Sequence, residues 1–337
     1  MADPLGLYPL EPPPNEACQP VAALAPRGSC ILDVVAAAAA SPASVAFYGG
    51  AGEEGLAPLT YGALLSFART AGEGLFPGVA RGAAPPRLAT VLRNSAASAV
   101  SFVALTRYWT LAPLSGAISR GELAFELDDL PAAAVLLDAA VAAPWARAEC
   151  DARSIPVFDF SPDRDACGAF AFAAPRARAA APPPREPATL ATVALVLHTS
   201  GTTNKPKLVP LTHGNLCAGA TAIGETLALK PDDVCVNVMP LFHIHGLAVN
   251  VLATLLAGAA VVCEHALDCG RFYELVRGTS PLRVAASWYS AVPTLHFAVA
   301  AAGEPGGPLY AGAPLPRLAF ARSCSAALPP SLSERLD

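Results

Sequence analysis

Ten consecutive residues, His198-Thr199-Ser200-Gly201-Thr202-Thr203-Asn204-Lys205-Pro206-Lys207, follow the apolar run Leu190 to Leu197 and hold two of the chain's three lysines. Small and hydroxyl-bearing residues in a turn let several backbone N–H groups point into one concavity, and Ser200 and the threonines add donors. A lysine closing such a turn supplies a compact positive charge that can follow a phosphate. The combination suits a polyphosphate. It is not a P-loop, which ends Gly-Lys-Ser/Thr so that the hydroxyl can ligate magnesium; here Pro206 precedes Lys207 and Leu208 follows it. An ordinary polar turn after a buried strand uses similar residues but rarely orders so many of them this way.

Two further blocks set polar side chains in apolar surroundings. In Val236-Asn237-Val238-Met239-Pro240-Leu241-Phe242-His243-Ile244-His245-Gly246, two histidines stand two positions apart at what reads as a strand end. His-x-His is open to a metal reading, but no cysteine or carboxylate cluster adjoins it, so no metal site is expected. The other block pairs Ser287-Trp288-Tyr289-Ser290-Ala291-Val292-Pro293-Thr294-Leu295-His296 with Arg322-Ser323-Cys324-Ser325-Ala326-Ala327-Leu328. Nothing in the local pattern supplies an activating base for Cys324, which argues against a nucleophilic thiol.

Together these segments resemble the AMP-forming adenylating enzymes: acyl-CoA synthetases, luciferases and peptide-synthetase adenylation domains. The family's phosphate loop reads Thr-Ser-Gly-Thr-Thr-Gly-x-Pro-Lys, and the chain departs from it at Asn204, a residue that tolerates positive φ better than most. The family's Pro-Leu-Phe-His-x-x-Gly is matched from Pro240 to Gly246. Its Ser-Gly-Gly-Ala-Pro-Leu is matched from Ser323, with Cys324 and Ser325 for the glycines and Ala327 for the proline. Ser-Cys-Ser-Ala, Trp-Tyr-x-Ala-Val-Pro-Thr and Phe-His-x-His-Gly together look most like the oxalate–CoA ligase branch. The implied fold is α/β: the large N-terminal domain of these enzymes, stacked mixed sheets flanked by helices, without the small C-terminal domain.

The resemblance also implies roles. Thr199, Ser200, Gly201, Thr202, Thr203 and Lys207 would cradle the β- and γ-phosphates of ATP, while Lys205, at a variable position, would be solvated. His243 would shape the acyl and α-phosphate side. His245 with Ser323, Cys324, Ser325 and Ala326 would line the acid pocket. An imidazole at 245 and bulkier residues at 324 and 325 suit a small, charged acid better than a long acyl chain. ATP, Mg2+ and coenzyme A would take part, with a small carboxylic acid as substrate.

The elements that must hold these residues are legible in outline. Ile31 to Ala40 reads as helix, and Leu59-Thr60-Tyr61-Gly62-Ala63-Leu64 resembles the opening of the family's large domain. Ala89 to Ser95 followed by Phe102 to Arg107 reads as strand, turn and amphipathic helix, with Arg93 where the family has proline. Ala112-Pro113-Leu114 reads as the next strand, and Thr189 as the start of the strand entering the phosphate loop. Leu247 to Cys263 is nearly long enough to span a bilayer, but it contains Asn250, Thr254 and Gly258 and divides into a helix and a strand at Ala259 to Val262. The expected organisation is a disordered lead-in at 1–28 and a first α/β unit at 29–150. A Pro/Ala/Arg-rich connection follows at 151–187, then a second α/β unit at 188–337. Gly303 to Pro316 is expected to form an exposed loop.

Composition limits the alternatives. A net charge of −5 with no basic run gives no electrostatic footprint for nucleic acid. Nine cysteines without a Cys-x-x-Cys pair fit free thiols in a reducing compartment, cytoplasmic or peroxisomal, and the N-terminus lacks the pattern of a secretory signal. The family continues beyond the Leu328 position with a magnesium-holding glutamate, a ribose-binding aspartate and the C-terminal domain with its second lysine. The chain reaches only Asp337, so a C-terminally truncated ligase is expected. Two other readings stay open: an aryl- or medium-chain acyl-CoA ligase, and a catalytically inactive nucleotide-binding protein.

Overall fold

The computed structural model describes residues 30–71, 85–141, 143–173, 188–199, 207–310, 315 and 317–336. The expected lead-in at 1–28 and Ser200 to Pro206 of the phosphate loop lie outside them. In chain order the elements are α1 (Ile31–Ala38), β1 (Val45–Tyr48), β2 (Leu59–Thr60), α2 (Tyr61–Ala71), β3 (Arg87–Val91), α3 (Ala96–Leu105), β4 (Thr110–Leu114), α4 (Arg120–Asp129) and β5 (Ala132–Asp138). They continue with α5 (Ala146–Ala152), β6 (Val157–Pro162), β7 (Phe170–Ala173), β8 (Val193–Thr199), β9 (Lys207–Thr212), α6 (His213–Thr226) and β10 (Val234–Asn237). A π-helix (His245–Leu252) then runs into α7 (Ala253–Leu256), followed by β11 (Ala260–Cys263), α8 (Cys269–Arg277), β12 (Trp288–Ala291), α9 (Pro293–Gly303), β13 (Phe320–Ser323) and α10 (Pro330–Leu336).

The strands form two sheets, in the orders β7-β6-β5-β3-β4-β8-β9 and β13-β12-β10-β11-β1-β2. Within each, the central strands are parallel; β2, β7 and β9 pair antiparallel at the edges. Side chains alternate across a strand, and the cores follow that rule. Leu88 and Leu136 face a helical layer shared with Phe47, Val261, α1, α3 and α6. Ala89, Val135 and Leu137 face the opposite way, onto Leu123 and Leu127 of α4. Val236, Val262 and Tyr289 pack under Phe272 and Leu275 of α8. The result is five layers, with helices outside and between the two sheets.

Three sequence expectations change. The sheets do not divide at the 151–187 connection: β1 and β2 join the sheet built from residues 234–323, and β8 and β9 join the other. Parallel strands need crossovers, and these crossovers carry the chain between sheets. Second, the 151–187 stretch is not only a connection, since β6 and β7 lie in it and pair through Phe160↔Phe172. Third, the helix after β3 is not amphipathic: all ten residues of α3 are buried, because it lies between the sheets. Ser95 caps it, accepting from Ser98 N at 3.1 Å.

Smaller differences follow from local chemistry. β8 begins at Val193, because Thr189 and Thr192 close a turn, with Thr189 N donating to Thr192 Oγ1 at 3.0 Å. The Leu247–Cys263 stretch is helix then strand as expected, and no helix among the described residues is long and apolar enough to cross a membrane. The described cysteines are free thiols. Of the Gly303 to Pro316 stretch, residues 311–314 and 316 are outside the described set.

Candidate active site

The parallel strands of both sheets end on one side, where ligands of open α/β sheets bind. Asn94, just past β3, joins the two edges. Its Nδ2 donates to the Met239 carbonyl at 2.9 Å, and its Oδ1 accepts from Leu241 N at 2.8 Å. Beside it a cleft of about 630 Å³ is lined by the segments following β3, β4, β5, β10 and β11, including Arg93, Asn94, Ser115, Phe242 and His265. Arg93, at the family's proline position, grips Asp138 through Nε and Nη2 at 2.6 and 3.1 Å, and Asp138 is otherwise buried at the end of β5.

Thr199 closes β8 at the same edge and pairs in register with Lys207, the first residue of β9. That pairing brackets the loop between them and puts Lys207, an exposed residue, opposite the last residue of the strand. The strand end is fastened from outside: His198 Nε2 lies 3.2 Å from Asp129 Oδ2 on α4, and its Nδ1 lies 3.7 Å from Glu126 Oε2.

The second cluster forms where β10, β12 and β13 end. His245 opens the π-helix and is buried. Its Nε2 is 2.8 Å from Ser290 Oγ, and Cys324 Sγ lies 3.2 and 3.3 Å from its two ring nitrogens. Arg322 Nη1 donates to the same Ser290 hydroxyl at 3.2 Å. The parallel register Ser290↔Arg322 brings them together. An arginine only donates, so the Ser290 oxygen accepts from the guanidinium while it also meets His245 Nε2. Burial, with Arg322 next in effect, pushes the His245 pKa down to about 4, so near pH 7 the permanent charge of the cluster is the guanidinium.

Asn250, also buried, donates from Nδ2 to Asn237 Oδ1 at 2.9 Å and to the Ser290 carbonyl at 3.0 Å, tying the π-helix to β10 and β12. Such helices recur at functional sites because the extra residue per turn re-aims side chains. Gly246 sits in a tight contact: a Cβ there would run into the Pro240 carbonyl oxygen and lie 3.0 Å from that of Met239. Gly246→Ala is therefore expected to destabilise by about 1–3 kcal/mol, the usual cost of overpacking, read as a lower thermal midpoint.

Of the residues anticipated from sequence, His245 and Cys324 meet directly. Ser325 flanks them at φ +72°, the left-handed region that favours glycine, in keeping with the glycine its motif carries elsewhere. Ala326 is exposed beside it. Ser323 lies between Arg322 and Cys324 on the strand, and its buried Oγ has no hydrogen-bond partner among the described residues. His243 is exposed and packs on Phe242, ring centroids 4.4 Å apart. Sequence reasoning gave no role to Asn94, Ser290, Asn250 or Arg322. Three of them sit in or beside the quoted motifs, and the strand register that joins Ser290 to Arg322 cannot be seen there.

Residues 34–337 match the AMP-binding enzyme family, and the chain belongs to it. Among curated relatives, an oxalate–CoA ligase of Arabidopsis thaliana is 42% identical over 147 residues, 43% of this chain and 27% of that protein. One from Saccharomyces cerevisiae is 37% identical over 145 residues, 43% of this chain and 24% of that protein. A sulfoacetate–CoA ligase of Cupriavidus necator is 35% identical over 176 residues, covering 52% and 31%. The chain thus spans under a third of these relatives in alignment. In fold it is similar to ATP-bound MatB from Rhodopseudomonas palustris, with TM-score 0.69 at 21% identity, over 92% of this chain and 57% of that one.

Proposed function

We propose that this chain carries the ATP- and acid-binding part of an AMP-forming acid–CoA ligase whose acid is small and bears a second anionic group, as oxalate does. The observation that carries the acid class is Arg322. Its half-buried guanidinium donates to Ser290 and meets no carboxylate among the described residues, whereas Arg93, Arg107, Arg153 and Arg271 each meet at least one. A cation held beside a neutral imidazole and a hydroxyl suits a carboxylate or sulfonate. Relatives named for oxalate, sulfoacetate and malonate support the same class, since each of those acids has two anionic groups.

In the proposed reaction one carboxylate attacks the α-phosphorus of ATP, pyrophosphate leaves, and an acyl-adenylate forms. The coenzyme A thiolate then attacks the acyl carbon and AMP departs. The carboxylate is already ionised, so the first step needs no base; the protein supplies positioning and charge stabilisation. Thr199, Ser200, Gly201, Thr202, Thr203 and Lys207 hold the departing phosphates, and His243 borders the α-phosphate side. Arg322, Ser290 and His245 hold the distal anionic group, walled by Cys324, Ser325 and Ala326. Among the described residues no group of three or more His, Cys, Asp or Glu could hold a metal; magnesium would be held chiefly by the ATP phosphates, neutralising their charge.

Pyrophosphate release by the full-length protein, assayed with oxalate, coumarate and octanoate, tests the acid class. Oxalate is expected to be turned over fastest; preferential use of octanoate or coumarate refutes it. Lys207→Ala is expected to weaken ATP binding about ten- to a hundredfold, the worth of a charge-assisted hydrogen bond, by calorimetry. Unchanged affinity would remove the phosphate role.

A further inference from the structure

Tyr289 and His296 take no part in the reaction proposed above, yet both are buried, at 1% and 0% exposure, and joined end to end. The Tyr289 hydroxyl is 2.8 Å from His296 Nδ1, and His296 Nε2 is 3.2 Å from the Arg322 carbonyl oxygen. A carbonyl only accepts, so Nε2 carries the ring proton and Nδ1 accepts from the tyrosine. Burial holds this imidazole's pKa below its usual value, keeping the neutral form that the arrangement requires. Among the described strands β13 has a neighbour on one side only. Arg322 is therefore held by the β12 ladder on one side, by His296 at its carbonyl, and by Ser290 at its guanidinium. An arginine side chain is flexible when unpaired, so the direction of this one depends on those contacts.

We infer that the buried Tyr289–His296 relay is a positioning device for Arg322, aiming its guanidinium so that the surface around Cys324 selects anions. The inference deepens the acid-site reading and rests on it for its use, while its geometry can be tested without any substrate. Arg322 and Cys324 are two positions apart on an extended segment and share a face, so the Cys324 thiol reports the field of the guanidinium.

The experiment measures alkylation of Cys324 by anionic iodoacetate and neutral iodoacetamide, followed by peptide mass spectrometry. The ratio of the two rates cancels changes in thiol ionisation and in general access, and Cys269, also partly exposed, serves as the internal control. Relative to the unmodified protein, Arg322→Gln is expected to lower the iodoacetate preference by about threefold or more, the scale of one nearby charge in water. Tyr289→Phe, which removes one oxygen, is expected to lower it nearly as far. His296→Gln, whose amide can still donate to the Arg322 carbonyl, is expected to fall between. A merely structural role would raise both rates together, at Cys269 as well, and leave the ratio alone. The inference is overturned by a wild-type ratio in Tyr289→Phe or by no response to Arg322→Gln. Oxalate should also slow Cys324 alkylation. If it does not while the ratios behave as expected, the acid reading fails and the relay stands.

Discussion

Replacing Arg322 with glutamine is expected to raise the KM for oxalate by about ten- to a hundredfold, the range set by losing a charge-assisted hydrogen bond worth about 1.5–3 kcal/mol. The KM for ATP should stay near its original value, because the guanidinium faces Ser290 and His245, in the cluster at the ends of β12 and β13. Arg322→Lys should recover part of the loss: it restores charge but not the planar fork that reads a carboxylate with two N–H groups. Initial rates of pyrophosphate release against oxalate and ATP, in the full-length protein, distinguish the cases. An oxalate KM that does not move means the guanidinium does not read the acid. Equal shifts for both substrates point to general disruption.

His213→Ala is expected to bring the fold close to unfolding. The His213 ring is fully buried at the start of α6, where its Nδ1 accepts from Ile31 N at 3.1 Å and its Nε2 donates to the Thr106 carbonyl at 3.0 Å. It thereby ties α1 and the end of α3 to α6. Removing it orphans two buried backbone groups and opens a cavity, together about 3–6 kcal/mol, against a total stability of about 5–15 kcal/mol for an ordinary domain.

The same ring sets an acid limit. Burial lowers its pKa to about 4 from the ordinary 6.5, so the unfolded chain takes up the proton first as pH falls. The contribution is complete above about pH 6.5, declines as pH drops from there, and is gone below about pH 4; it amounts to about 3 kcal/mol at 1.4 kcal/mol per pH unit. His245, also near 4, acts with the same sign. Thermal midpoints between pH 7.5 and 4.5 check both statements. His213→Ala should melt lower at pH 7.5 yet lose less on acidification, and a variant with the unmodified protein's slope would show that His213 is not the titrating group.

How much of this was legible in the sequence depended on whether the signal was local. The run Leu190 to Leu197, the Ala89–Ser95 strand and turn, and the helix-then-strand division of Leu247 to Cys263 each lie within one window of hydrophobic pattern, and each element forms. What required long-range register was not legible. Ser290 and Arg322 stand in separate motifs, and only the β12–β13 pairing makes them neighbours. Tyr289 and His296 read as strand and helix residues until the fold brings the imidazole to the Arg322 carbonyl. The helix read as amphipathic from Phe102 to Arg107, yet even Ser98 and Ser101 of α3 are buried. Those hydroxyls instead bond inward, Ser98 Oγ to the Arg93 carbonyl at 2.6 Å and Ser101 Oγ to that of Ser98 at 2.7 Å, which lets them sit in a dry layer. The π-helical phase of His245 to Leu252 is likewise set by packing, since an α-helix would use the same residues.

The pairing of Phe47 with Val261 has a consequence for biosynthesis. β1 emerges from the ribosome long before its partner β11 has been translated, so the early strands wait with unpaired edges and bare apolar faces. Contacts so distant along the chain form slowly, and the waiting species are sticky. Newly made protein should therefore depend on chaperone shelter until β11 has been delivered, and translation products ending before it should aggregate.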